Sequence, residues 1–205
     1  MASETARVEA FSDGVFAIAI TLLILDVHVP APNLGPLRTA LARQWPAYIA
    51  FLISFAFIGV MWVNHHRLFN QIRRSDESLM FVNLLLLLGV CVVPFPTALL
   101  AGHYYAPDRR VAAAVFNGTY VFIAIAFNVL WFHAVKANLL APEAAAAARS
   151  ISKQYIVGQV LYPVCFALTW VSVPASLALN VALAIFFAIP AQGRKTGRAM
   201  HHATE

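Results

Sequence analysis

The sequence predicts an all-α, polytopic membrane protein, with six transmembrane helices per subunit forming one six-helix repeat. Three observations predict it. The 205 residues are 61% hydrophobic and only 11% charged, with a mean hydropathy of +0.74, whereas soluble domains run nearer a quarter charged and about half apolar. That excess has no room inside one small globular core, so lipid must cover much of it. The apolar residues also fall into six runs of bilayer-crossing length, and the positive charges are shared unevenly between alternate connections.

A helix crossing the hydrocarbon needs about 20 residues at roughly 1.5 Å each. The runs 11–29, 46–66, 79–101, 112–135, 155–173 and 175–191 meet that need. The transmembrane domain is therefore expected over 1–191, with a short basic tail over 192–205. PAPNLGPLRTALARQWP, with its prolines, glycine and arginines, reads as an exposed connection between the first two spans. QIRRSDES and GHYYAPDRR make the next two connections. In KANLLAPEAAAAARSISK the Ala-rich part reads as a short surface helix, begun by Pro142 at a first-turn position. The last two spans meet at Val173–Pro174, and Pro163 lies inside the fifth. A proline-kinked helix with a tight turn is the preferred reading, and a re-entrant pair is the other. No cleavable signal peptide is expected from MASETARVEA and the run that follows. Cys91 and Cys165 read as small buried hydrophobes rather than disulfide partners or metal ligands.

Charge placement sets the expected orientation. Ten of the 14 lysines and arginines fall on one side: Arg7, Arg67, Arg73, Arg74, Lys136, Arg149, Lys153, Arg194, Lys195 and Arg198. The other side holds Arg38, Arg43, Arg109 and Arg110. Positive residues favour the cytoplasmic face, so both termini are expected in the cytoplasm, as an even number of spans requires. Trp45, Tyr48, Tyr104, Tyr105 and Tyr155 near span ends fit an interfacial aromatic belt. The net charge of +5 thus reports topology, and nucleic acid is not an expected partner.

On a helix over 11–29, Phe11, Val15, Ile18, Leu22, Leu25 and Val29 share one stripe, with Thr21 beside it. Periodicity alone does not name a buried face here, because lipid is as apolar as protein. The acids add information. A carboxylate at membrane depth costs up to about 2.5–3.5 kcal/mol, so Asp13 is expected to face protein, a partner or water. Arg7 and Ser12 offer polar company at that end, and capping of the helix by Ser12 or Asp13 is a compatible reading. Asp26 and His28 lie near the outer end, where hydration suffices.

Span two ends in MWVNHHRLF, placing Trp62, Asn64, His65 and His66 at the same membrane face as Asp13. A hydrogen-bonded network between the two helices is therefore expected. Adjacent histidines point about 100° apart on a helix, and no further ligands stand in register, so no metal site and no cofactor is expected.

Two patterns carry a resemblance. Arg7-V-E-A-Phe11-Ser12-Asp13 entering an apolar first helix, and Trp62-x-x-His65-His66 in the second, resemble the signatures of the transmembrane protein 175 family of potassium channels. The resemblance implies a channel for potassium and other monovalent cations, with no carbonyl filter of the TVGYG type; no GYG occurs in this chain. It implies that first helices line the pore, with Ile18, Leu22 and Leu25 as constriction and Thr21 as a polar layer. Arg7, Phe11, Ser12, Asp13, Trp62, His65 and also Asn64 would brace the helices without touching ions. Eukaryotic members carry two repeats per chain and this chain shows one motif, so the implied assembly is a homotetramer with modest potassium-over-sodium preference. Asp26 could concentrate cations at the outer mouth or stand there hydrated. The implied location is a prokaryotic inner membrane, entered as a multi-pass protein.

Two other functions are weighed. A proton-coupled secondary transporter would use Asp13 and His65 as a relay, but such folds show inverted repeats and broken mid-membrane helices, and AIAITLLIL is intact. A membrane enzyme or haem protein would need His65, His66 and His133 in paired register, which the spacing does not offer.

Overall fold

The computed structural model describes residues 5–33 and 35–188, with seven side chains in 143–154 left out. The described chain is all-helical, save an isolated antiparallel bridge between Ile72 and Leu140. The helices are α1 (Ala6–Leu22, prolonged by a 3₁₀ turn Leu23–Asp26), α2 (Leu37–Arg43), α3 (Trp45–Phe69), α4 (Glu77–Val92), α5 (Pro94–His103), α6 (Arg109–Lys136), α7 (Ala145–Leu168) and α8 (Val173–Ala188). Four units are long and apolar enough to cross a membrane: Ala6–Asp26, Trp45–Phe69, Glu77–His103 and Arg109–Lys136. With α7 and α8 they make the six-segment, multi-pass architecture the hydropathy predicts. The tail over 192–205, with Arg194, Lys195 and Arg198, lies outside the described residues.

Local chemistry explains where the boundaries depart from the sequence reading. Helix α1 begins at Ala6 rather than at 11, because ARVEA holds no breaker and continues the helix toward the N-terminus. Ser12 and Asp13 therefore lie in its second turn, not at its cap, which is Thr5. The third span divides at Val93 into α4 and α5. Pro94 and Pro96 have no N–H to give the preceding turn, and Val93 N–H closes a tighter bond to Val90 O at 3.2 Å. The connection after the first span carries α2, with Pro36 at its N-cap.

The Ala-rich segment is not a separate surface helix. Pro142 opens a 3₁₀ turn, Pro142–Ala144, which leads directly into α7, and α7 runs on through the fifth span with Pro163 inside it. Nothing between Ala145 and Ile156 breaks a helix, so no boundary forms there. Residues 169–172 form the turn into α8, closed by Trp170 N–H to Ala167 O and Ser172 N–H to Leu168 O. Cys165 is buried, whereas Cys91, read as buried, lies on the outer surface of α4.

A main core, with a smaller cluster of Cys165, Leu183 and Phe187 beside it, holds these helices together. Phe57, Phe116, Tyr120 and Trp131 are among its fully buried members. Helix α6 is the central element, packed on α4, α5 and α7, while α1 lies at one flank against α3, α4 and α5. Gly89 lets α4 approach α6: a Cβ there would stand 2.7 Å from Ile123 and 3.0 Å from Phe122. At the end of α6 the chain turns through Asn138, whose φ of 55° suits an amide side chain better than a branched one. Leu139 N–H then returns to Ala134 O at 3.0 Å, closing the helix.

Candidate pore helix and its anchoring network

Helix α1 has two unlike faces. Ser12, Phe16, Ala19 and Leu23 are buried against the rest of the chain. Ile18 at 62% exposure, Leu22 at 43% and Leu25 at 67% form the other face with Phe11, whereas Val29, expected on the same stripe, lies past the end of the helix at Asp26, in extended chain. Val15, placed on that stripe by spacing, is half-buried and packs on the core. The exposed Thr21 hydroxyl donates back into its own helix, 3.0 Å from Ala17 O and 2.9 Å from Ile18 O. Its oxygen lone pairs are thereby left for whatever covers this face.

The buried face is pinned at its N-terminal end by a chain of hydrogen bonds. Ser12 Oγ donates to Val8 O at 2.8 Å and accepts from Asn83 Nδ2 at 2.9 Å. Asn83 Oδ1 stands 2.9 Å from His65 Nε2. Because the amide nitrogen of Asn83 is committed to Ser12, its oxygen must accept, and His65 carries its proton on Nε2. His65 Nδ1 then has no partner among the described residues. Its ring stacks on Phe69 with centroids 4.4 Å apart and meets Phe16 at 5.4 Å. Ser12, His65 and Asn83 are all essentially inaccessible, so each unmade bond there would cost far more than at the surface.

Two further pairs flank this chain on the exposed side. Trp62 Nε1 donates to Asp13 Oδ1 at 2.9 Å, and His66 Nδ1 lies 2.5 Å from Glu9 Oε1. Trp62, His65 and His66 of α3 thus all reach α1 or its partner on α4. Asn64 does not: it faces α8, donating to Phe187 O at 3.3 Å. Arg7 is exposed beside Phe11, Ser75 and Met80 and bonds no described residue.

The C-terminal end of α1 is held less densely. Asp26 closes the 3₁₀ turn, His28 Nδ1 lies 2.9 Å from Asp26 O, and both line a recess with Arg43, Gln44 and Tyr105. Trp45 Nε1 donates to the Tyr105 hydroxyl nearby. Among the described residues no group of three His, Cys, Asp or Glu side chains could hold a metal ion.

The family described as "Endosomal/lysosomal potassium channel TMEM175" matches residues 7–94, the stretch from Arg7 to the first residue of α5. A potassium channel of Chamaesiphon minutus is 50% identical over 192 residues, covering 91% of this chain and 95% of its own. This chain belongs to the TMEM175 family. A potassium channel of Streptomyces collinus is 49% identical over 190 residues, covering 90% and 92% of the two chains. The crystal structure of a lysosomal potassium-selective channel TMEM175 homolog from Chamaesiphon minutus superposes with a TM-score of 0.85 at 49% identity, over 92% of this chain and 98% of that one. The TMEM175 proteins so matched are ion channels rather than enzymes.

The TMEM175 motif residues prove to be neighbours in space: Ser12 and Asp13 on α1 face His65 and Trp62 on α3. The residue that joins them, Asn83, escaped the sequence reading. Its only signal was an amide alone in the run SLMFVNLLLLLGV of α4, where an unpaired polar group in lipid is costly and therefore calls for a partner.

Proposed function

We propose that this chain is the subunit of a homotetrameric, potassium-permeable cation channel in which four copies of α1 line the pore. One observation carries the reading: the face of α1 bearing Ile18, Leu22 and Leu25 is uncovered in the subunit, while its other face is fastened by Ser12 and Asp13. The relatives named as potassium channels support it. Closed cyclic symmetry is the ordinary way to surround a shared axis, and a single exposed helix encloses no path by itself.

In this arrangement the apolar rings are the constriction. A narrow ring of Ile or Leu excludes water, and a small widening lets it wet and conduct. Thr21, its hydroxyl proton turned into the helix, presents oxygen to the axis and forms a polar layer between Ile18 and Leu25. Such a layer favours partly dehydrated potassium modestly over sodium. Ser12, Asp13, Trp62 and His65 set the position of α1 rather than coordinate ions, whereas Arg7 and Phe11 are exposed and hold nothing among the described residues. Asn64 supports α3 from behind, through α8. Asp26 stands at the outer mouth, where a carboxylate raises local cation concentration. Both termini are placed in the cytoplasm, with the chain in a prokaryotic inner membrane, a reading the Lys and Arg bias of the connections and the bacterial relatives support. The transmembrane domain over 1–191 is the conducting part.

Flux through purified protein in liposomes tests this. Potassium should move with the imposed voltage and need no counter-ion; strict coupling to a proton gradient would replace the channel by a transporter. Ile18→Asn and Leu22→Asn should each wet the constriction, raising basal flux severalfold and lowering potassium preference. Unchanged conductance in both variants would remove α1 from the pore.

A further inference from the structure

We infer that the cavity between α3, α6, α7 and α8 is a binding site for a small cluster of ordered waters, which links Asn128 of α6 to Asn64 of α3. The free space is about 50 Å³. A buried water needs about 10–15 Å³ by the same kind of measure, so about three fit. A benzene-sized molecule, which takes a cavity of about 150 Å³, does not. Rings wall the space. Tyr120 and Tyr162 are 20° from parallel with centroids 6.5 Å apart, and Tyr162 and Phe187 are 10° from parallel at 5.9 Å. Gly158 lets α7 close on that wall, since a Cβ there would stand 3.0 Å from the Phe187 ring.

One amide carries the assignment. Asn128 is 7% exposed and lines the cavity. Its Nδ2 donates to Ala124 O at 2.9 Å and to Tyr155 O at 3.3 Å. Both hydrogens are thereby used and the amide orientation is fixed. Oδ1 is left buried and without a partner among the described residues. A buried acceptor beside enough room for water is satisfied by water. The α3 wall supplies the complementary group: Asn64 Nδ2 donates one hydrogen to Phe187 O at 3.3 Å, and its second suits a water oxygen. One water donating to Asn128 Oδ1 and another accepting from Asn64 then complete a bonded path across the space, and such bridges are nearly as good as direct bonds. An ion is a poor occupant, because no Asp, Glu, Lys or Arg is among the described lining residues and a buried charge needs a partner. Asn64 follows Trp62 by two residues, roughly 200° of helix rotation. Helix α3 therefore grips α1 directly through Trp62 on one side and meets α6 through water on the other.

High-resolution crystals of the intact protein, with and without xenon pressure, decide the matter without any ion flux. A failure here leaves the channel reading untouched, and the converse holds. Water density is expected about 2.5–3.0 Å from Asn128 Oδ1. Xenon should not enter, since it fills cavities that are apolar and dry. Asn128→Leu, which removes the acceptor at nearly constant volume, should abolish the water peak nearest that position. A cavity without water in the unaltered chain, xenon bound in it, or the same water peak in a folded Asn128→Leu protein would each overturn the assignment. The water and xenon measurements on the unaltered chain stand even if that variant does not fold.

Discussion

Two buried polar clusters sit in this chain and do different work. The first, Ser12, His65 and Asn83, runs from α1 to α3 and α4 as a single line of bonds. The second, Asn117, Thr169, Ser176 and Asn180, knots α6 to the α7–α8 turn. Asn117 Nδ2 lies 2.8 Å from both Thr169 Oγ1 and Ser176 Oγ, and Asn180 Nδ2 donates to Asn117 Oδ1 at 2.6 Å. Thr169 and Ser176 also each donate to Cys165 O. The knot ties scaffold to scaffold with redundant bonds, whereas the line ties the scaffold to the helix with an uncovered face. Dense redundancy suits a joint that must not move. A single line suits one whose length sets the position of α1.

Breaking the knot should have the larger effect on stability. Asn117→Ala strips partners from Thr169, Ser176 and Asn180 together and leaves a void, at a cost of about 3 kcal/mol. Thermal unfolding of the purified assembly checks it, and flux per folded channel should stay at the wild-type level. Breaking the line should cost less but change conduction. Asn83→Ala orphans the Nε2 proton of His65, while Ser12 keeps its bond to Val8 O. A loss of about 2 kcal/mol is expected, with altered basal flux and potassium preference in the protein that remains folded. If Asn117→Ala altered selectivity and Asn83→Ala did not, the division of labour drawn above would be reversed.

The two clusters also differ in how far the sequence announces them. Asp13 and Ser12 stand out in a greasy first span, and Trp62-x-x-His65 stands out at the end of the second, so their meeting was expected. The bridging Asn83 was not, because one amide in a leucine run names no partner. The knot was wholly silent: Asn117 lies 52 residues from Thr169 and 63 from Asn180, and only packing brings them together. The six apolar segments were legible because composition and length suffice for a bilayer. Their ends were less so. Helices run past the apolar window wherever no breaker stops them, as at Ala6 and Ala145, and stop early where prolines do, as at Val93. The uncovered stripe Ile18, Leu22 and Leu25 was read from spacing, but spacing alone does not tell lipid from pore.

A third contact links the two regions, and its removal should have the smallest effect. Asp76 caps α4, which carries Asn83, accepting from Leu79 N–H at 2.6 Å. The same carboxylate lies 3.0 Å from His133 Nε2 through both oxygens, and His133 belongs to α6, the helix of Asn117. The Leu79 amide, and after it His133, hold the Asp76 carboxyl below its ordinary value. A carboxyl depressed in the folded protein contributes stability that is present above its unfolded value, about 3.9, and is lost as pH falls through the lower folded value. Asp76→Ala should therefore destabilise by about 1 kcal/mol at neutral pH, the usual worth of an N-cap. The gap from wild type should hold down to about pH 4 and close below it, as the wild-type cap is protonated. Unfolding midpoints of both proteins across that range test the sign. A gap that instead widened below about pH 4 would remove the Asp76 cap as the source of this stability.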